Sequence, residues 1–270
     1  MNFPTSQTPP PPPVNPPSPM IAAEEVPAGP GLSESQRLLN VFLAPTKTFT
    51  DIRRNASWWK PWLIATIIAM VFSVIAVQKL DMMRFVQQQI DKSPSAQRRM
   101  ERLSPEQREQ GMELQAKITK FSFYSVPVFG LLGGLILAAI LMAIFNFMLG
   151  AEVSFQRAMA VTFYSYFPTV IKTILLCISL VAATDPNSID IAGNPMPTNP
   201  SFFMDPSGNT FFYSLFGFVD IFAIWIAVLL GLGFATASAN RKVSTGTGIT
   251  AVLSAYGVWA LLVACFKAFI

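Results

Sequence analysis

Three observations predict an all-α, polytopic membrane protein: a bundle of five transmembrane helices behind a disordered proline-rich tail and an interfacial amphipathic segment. The 270 residues are 52% hydrophobic and only 13% charged, whereas a soluble domain carries about a quarter charged residues. Five apolar stretches are long enough to cross a hydrocarbon layer of about 30 Å at about 1.5 Å per residue. Within two of them small residues recur every fourth position, the pattern that lets helices approach closely in lipid.

Composition also narrows function. The chain has no histidine, which removes Ser/His and Cys/His nucleophile pairs and histidine-based zinc sites. Its two cysteines, Cys177 and Cys265, sit inside apolar runs and are expected as small core residues rather than a disulfide or a metal pair. Neither catalysis nor a metal or cofactor is expected. The net charge of +4 comes mostly from bases flanking the apolar runs, where they set membrane orientation; a membrane partner is expected, and nucleic acid is not.

Residues 1–32 hold eleven of the twenty-two prolines and too few apolar residues to bury a core, which predicts a disordered tail with polyproline II character. It has no basic region followed by an apolar one and so does not read as a signal peptide. A solvated spacer and a ligand for a proline-recognising module both fit it.

Residues 33–60 are predicted to be interfacial. Ser33 and Gln36 form a capping box ahead of Leu38, Leu39, Phe42 and Leu43, and Pro45 is expected to end that helix. A second helix, 46–56, gathers Phe49, Ile52 and Ala56 on one side and Lys47, Asp51, Arg53 and Arg54 largely elsewhere. This suits a helix in the headgroup plane, its bases toward anionic lipid. Trp58, Trp59 and Trp62 cluster where amphipathic rings anchor at the interface.

The membrane domain is expected over 61–270. The first span, 61–78, covers about 27 Å at about 1.5 Å per residue. Residues 79–120 are charged, with a helix start at Ser104-Pro105-Glu106-Gln107, and are read as an extramembrane helical hairpin. The second span, 123–149, carries Gly130, Gly134 and Ala138 on one face. The third, 158–183, contains Pro168, which permits a kink, and Lys172. An acidic loop, 184–209, precedes the fourth span, 211–239, whose one acid is Asp220 and whose small-residue stripe runs Ala223, Ala227, Gly231, Ala235, Ala239. The fifth is 248–269, with Lys267 free to snorkel.

Short basic loops face the cytoplasm. Arg53, Arg54, Lys60, Arg157, Arg241 and Lys242 then agree on an N-terminus inside and a C-terminus outside. The 79–120 loop, with nine bases against six acids, opposes this weakly, because long segments of alternating charge obey the rule poorly. Lys172 and Asp220 are the two ionisable residues deep within spans, where an unpaired charge costs about 2.5 to 3.5 kcal/mol. Their expected depths, about 17 and 14 Å at about 1.5 Å per residue, allow contact between antiparallel neighbours. The pair reads either as a register-fixing ion pair or as a proton or cation site, and the stripe on the fourth span is expected to pack on span three beside it.

Three segments, Ala44 to Trp62 (APTKTFTDIRRNASWWKPW), Phe155 to Pro168 (FQRAMAVTFYSYFP) and Val219 to Gly233 (VDIFAIWIAVLLGLG), occurring in this order among five spans, resemble the bacterial branch of the Yip family (Ypt-interacting proteins). The resemblance covers about Val41 to the C-terminus. It implies an integral, non-catalytic membrane protein, and the absence of the motif that eukaryotic members carry points to a bacterial inner membrane. Eukaryotic members bind prenylated Rab GTPases and carry an acidic DLYGP-type motif before the membrane; this chain has nothing like it, so that partner is not carried over. The expectation is a protein that organises membrane lipid, partner proteins or further copies of itself through its N-terminal collar and small-residue faces; a small transporter or channel built on Lys172 and Asp220 is the rival.

Overall fold

The structure, a computed structural model, describes residues 30–206, 208–238 and 243–269. Most of the predicted tail, along with Ala239, Asn240, Arg241 and Lys242, lies outside the described residues.

Helix α1, Glu34–Leu43, begins at the predicted capping box: Ser33 Oγ accepts from the Gln36 amide at 3.2 Å, and Gln36 Oε1 accepts from the Ser33 amide at 2.9 Å. Pro45 does more than end α1. It opens α2, Pro45–Ile52, at the first helical position, where its missing N–H costs nothing. Helix α3, Trp59–Lys79, is the first span.

The 79–120 segment forms three helices: α4, Met82–Asp91; α5, Pro94–Glu101; and α6, Pro105–Tyr124. Asp81 caps α4, and a second capping box, Ser104 with Gln107, starts α6. Helix α4 packs against α6, and α6 runs beside the end of α3, where Ser73 Oγ donates to the Phe123 carbonyl at 2.6 Å. Helix α7, Val126–Ala143, continues into a π-helical turn, Ile144–Met148, completing the second apolar span. Asn146 then closes the connection by accepting from the Val153 amide at 2.8 Å and donating to its carbonyl at 2.9 Å.

The third span is two helices, α8, Phe155–Ser165, and α9, Pro168–Ala182, with the interruption at Tyr166 and Phe167 where Pro168 was expected to permit a kink. Every residue from Ala158 to Ser165 is buried. The fourth span is broken too, which the sequence reading did not anticipate: α10, Thr210–Gly217, and α11, Ile221–Ala237, meet at 53° across Phe218, Val219 and Asp220. Helix α12, Thr245–Phe269, is the last.

The 184–209 loop meets the α4–α6 unit: Asn187 Oδ1 accepts from the Asp81 amide at 2.9 Å, the Asn187 carbonyl accepts from Gln88 at 2.8 Å, and Lys92 pairs with Asp190 at 2.7 Å. Those two segments therefore share one end of the bundle. At the other end Arg157 Nη2 donates to the Arg53 carbonyl at 3.4 Å, and Ser238 Oγ donates to the Ala151 carbonyl. The alternation is that of five crossings if α10 and α11 form one span.

Two expectations are corrected here. Helix α2 is a wedge between α8 and α11 rather than a surface helix. Phe49 and Ile52 are fully buried, and so, nearly, are Asp51 and Arg53. Its apolar face found protein instead of lipid because Gly233 of α11 leaves room for the Phe49 ring. Cys265 is exposed on α12 and Cys177 only partly covered, so neither is a core cysteine.

Candidate functional site

The break in the fourth span is organised by Asp220. An acid ahead of an apolar helical run is an N-cap before it is anything else, and Asp220 Oδ1 accepts from the amides of Phe222 at 3.0 Å and Ala223 at 3.1 Å. Its second oxygen, Oδ2, accepts from Lys172 Nζ at 2.9 Å and from the Thr198 hydroxyl. Thr198 reaches it from the 184–209 loop, and the Thr198 carbonyl also accepts from the Ile221 amide at 2.9 Å. On the α10 side, the Phe218 carbonyl is taken by Tyr256 of α12 at 2.8 Å. The amides of Ile221, Phe222 and Ala223 and the carbonyl of Phe218, at the break, are thereby satisfied by protein, the kind of pairing that lets a broken helix persist in lipid.

The carboxylate is buried and the Lys172 side chain about one-third exposed, its ammonium lying 5.8 Å from the centre of the Phe222 ring. The structure thus brings Lys172 and Asp220 together, with α9 and the start of α11 as the two supports. The sequence reading lacked Thr198 and Tyr256. Nothing in their spacing marks them, because both act on a break that the apolar run conceals.

The predicted small-residue faces separate into two kinds of contact. Gly134 admits the Phe163 ring of α8, which a Cβ would meet at 2.5 Å, and Ala138 is fully buried beside it; Gly130 faces open space. On α11, Ala227, Gly231 and Ala235 are buried and Ala223 partly so. The stripe does not pack on span three. It packs on α12, where a Cβ on Gly231 would stand 2.6 Å from the Gly248 carbonyl oxygen. Asp220 therefore heads a helix whose close-packed side belongs to α12 while its carboxylate belongs to α9.

Of the predicted interfacial anchors, only Trp59 is well exposed, with Lys60 Nζ 5.6 Å from its ring centre. Trp58 stacks on Phe163 at 5.6 Å and leans on Trp62 at 6.4 Å, so these two belong to the bundle. Arg53 is buried and Arg54 partly so.

The collar is held by a polar network that sequence reasoning missed. Arg37, 2% exposed, donates Nε to Asp51 at 2.7 Å and Nη1 to the Asn55 carbonyl at 3.0 Å. Glu34 accepts from the Tyr164 hydroxyl at 2.6 Å and pairs with Lys60 at 3.2 Å. Burial would lower the Arg37 pKa, but hydrogen bonds to Tyr164 and Asp51, with the Asp51 charge, outweigh it and raise the pKa. The sequence offered only the four-residue spacing of Arg37 and Val41, one face of α1, which the structure buries.

Among the described residues no group of three His, Cys, Asp or Glu side chains stands close enough to hold a metal ion. No curated protein and no solved structure matches the chain. The Yip1 domain family matches residues 39–266, taking in α2, every apolar span and the α9–α11 junction. With several helices long and apolar enough to cross a membrane, the chain is an integral membrane protein and belongs to the Yip1 domain family.

Proposed function

We propose that this protein is a non-enzymatic scaffold of a bacterial inner membrane, with its N-terminus cytoplasmic and its C-terminus outside, and that it organises membrane and partner proteins rather than moving solute. The observation that carries this reading is the state of Asp220: its two oxygens accept four hydrogen bonds, from two amides, a hydroxyl and an ammonium. A carboxylate that caps a helix and pins a loop is committed to structure, whereas a transport acid must exchange partners during its cycle. The basic residues Arg53, Arg54 and Arg157 at one end of the bundle support the orientation, and the resemblance to the bacterial branch supports the location.

The test is flux in proteoliposomes. Wild-type protein is expected to conduct no ion or solute above protein-free vesicles; uptake that disappears in Asp220→Asn would establish the transporter instead. Cross-linking in native membranes then identifies the neighbours, and recovery of only cross-linked copies of this chain would narrow the scaffold to a homo-oligomer.

A further inference from the structure

A groove of about 370 Å³ opens between α3, α7 and the α8–α9 span. Its lining is largely apolar, the hydroxyls of Thr162, Thr169 and Thr173 being turned to carbonyls of their own span; its floor includes Gly130 and Gly133, and a Cβ on either glycine would meet nothing within 4 Å. The groove lies within the spans, so its surroundings are hydrocarbon. At the α3 end it is bounded by Pro61 and Trp62. There it adjoins a second hollow, of about 440 Å³, formed by the turn before α3 and the first turn of α8, with Ser57, Trp58, Lys60 and Gln156 in its wall. Trp58 is the partition, touching Phe163 and Trp62 of the groove.

The two hollows differ in chemistry in the way the two parts of a phospholipid differ. The lower one offers length and a largely apolar lining; the upper one offers the Lys60 ammonium and the side-chain amides of Asn55 and Gln156, with the Ser57 hydroxyl buried in its wall. Two polar atoms at the junction also lack a partner. Among the described residues the Ser57 hydroxyl and the Trp62 indole nitrogen are buried with no hydrogen bond, although a buried polar group ordinarily finds one. Both can donate to an oxygen, and an ester carbonyl and a phosphate supply acceptors. A second helix fits this shape poorly, since a helix is about 10 Å across and needs a continuous face rather than a slot with a polar mouth.

We infer that a membrane phospholipid occupies this site, one acyl chain in the groove over Gly130 and Gly133 and its phosphate at Lys60 and Ser57. Lys60 is shared with Glu34, so the same lysine that ties α1 to α3 senses the headgroup. The inference is independent of whether the protein is a scaffold or a transporter.

The experiment measures phospholipid retained per chain after purification in mild detergent. Wild type is expected to keep about one, and Gly133→Leu or Gly130→Leu, which fills the groove, about tenfold less. Gly257→Leu is the control, because Gly257 also faces open space but lies on α12; it is expected to match wild type. Lys60→Gln is expected to weaken re-binding of phosphatidylglycerol and phosphatidylcholine to delipidated protein, while inorganic phosphate alone displaces neither. Unchanged retention in both groove-filling variants with their helical content intact, an equal loss in Gly257→Leu, or full displacement by inorganic phosphate would each overturn the site. So would a Gly133→Leu protein that changes its oligomeric state while keeping its lipid, which would make the groove a helix interface.

Discussion

Gly231 of α11 and Gly248 of α12 lie backbone to backbone. A methyl group on Gly231 would stand 2.6 Å from the Gly248 oxygen and 2.7 Å from the Ile249 nitrogen, and one on Gly248 would stand 2.9 Å from the Ala235 Cβ. The opposing atoms are largely backbone and cannot rotate away. Gly231→Ala or Gly248→Ala should therefore separate the last two helices and cost about 1 to 3 kcal/mol, the range for overpacked sites. Thermal unfolding in detergent checks this; Gly257→Ala, with open space for its methyl inside α12, should cause no destabilisation.

Asp220 does two jobs that substitutions can divide. Asp220→Asn keeps an oxygen able to cap Phe222 and Ala223 while discarding the charge; Asp220→Ala loses both. Losing the cap costs about 0.5 to 2 kcal/mol, so Ala should be less stable than Asn by about that margin in thermal unfolding. Equal losses would mean that the cap contributes nothing. Exchanging the charges, Lys172→Asp with Asp220→Lys, is no fair test of pairing, because lysine cannot accept from the α11 amides.

The collar should detach before the bundle melts. Asp51→Ala takes from Arg37, 2% exposed, its carboxylate partner at 2.7 Å and leaves it the Asn55 carbonyl and Glu34 at 3.6 Å; removing one partner of a buried ion pair costs about 3 to 5 kcal/mol, and the remaining contacts place this loss at the lower end. Phe49→Ala empties the fully buried contact with Gly233 at a similar cost of about 3 to 5 kcal/mol. Either substitution is expected to expose the turn between α2 and α3 to protease added to inside-out vesicles, with the α12 fragment still resistant. Protection equal to wild type would show that the network does not hold the collar down.

Sidedness is open to cysteine labelling once Cys177 and Cys265 are replaced by serine. A membrane-impermeant maleimide should label Ser95→Cys and Ser188→Cys on intact cells, and Gln156→Cys only after permeabilisation. The reverse pattern would invert the proposed orientation while leaving the contact between the 184–209 loop and α4 unaffected.

What was legible in the sequence was whatever depends on one segment alone. Apolar length located the spans, and Ser33 with Gln36 and Ser104 with Gln107 located two helix starts, because capping is a local exchange of hydrogen bonds. The contact of Lys172 with Asp220 followed from depth and charge. The break at Asp220 was written in the same residues but read as one span: Phe218 and Val219 are as apolar as their neighbours, and only the acid at a helix-starting position betrayed it. The partner of the Gly231 stripe was out of reach, since Gly248 sits in a polar stretch, Ser244 to Thr250, that carries no stripe of its own. Nor could composition tell a helix lying on lipid from α2 lying on protein; both need one apolar side.

The position of α2 has a consequence for how the chain is made. Phe49 rests against Gly233, and Tyr164 holds Glu34, so the collar's seat is built from residues that leave the ribosome more than a hundred positions after it. Helix α8, buried along eight successive residues, has no lipid face with which to wait. The residues that seat the collar are thus translated after it, and the α1–α2 pair cannot complete its contacts until α11 has been made.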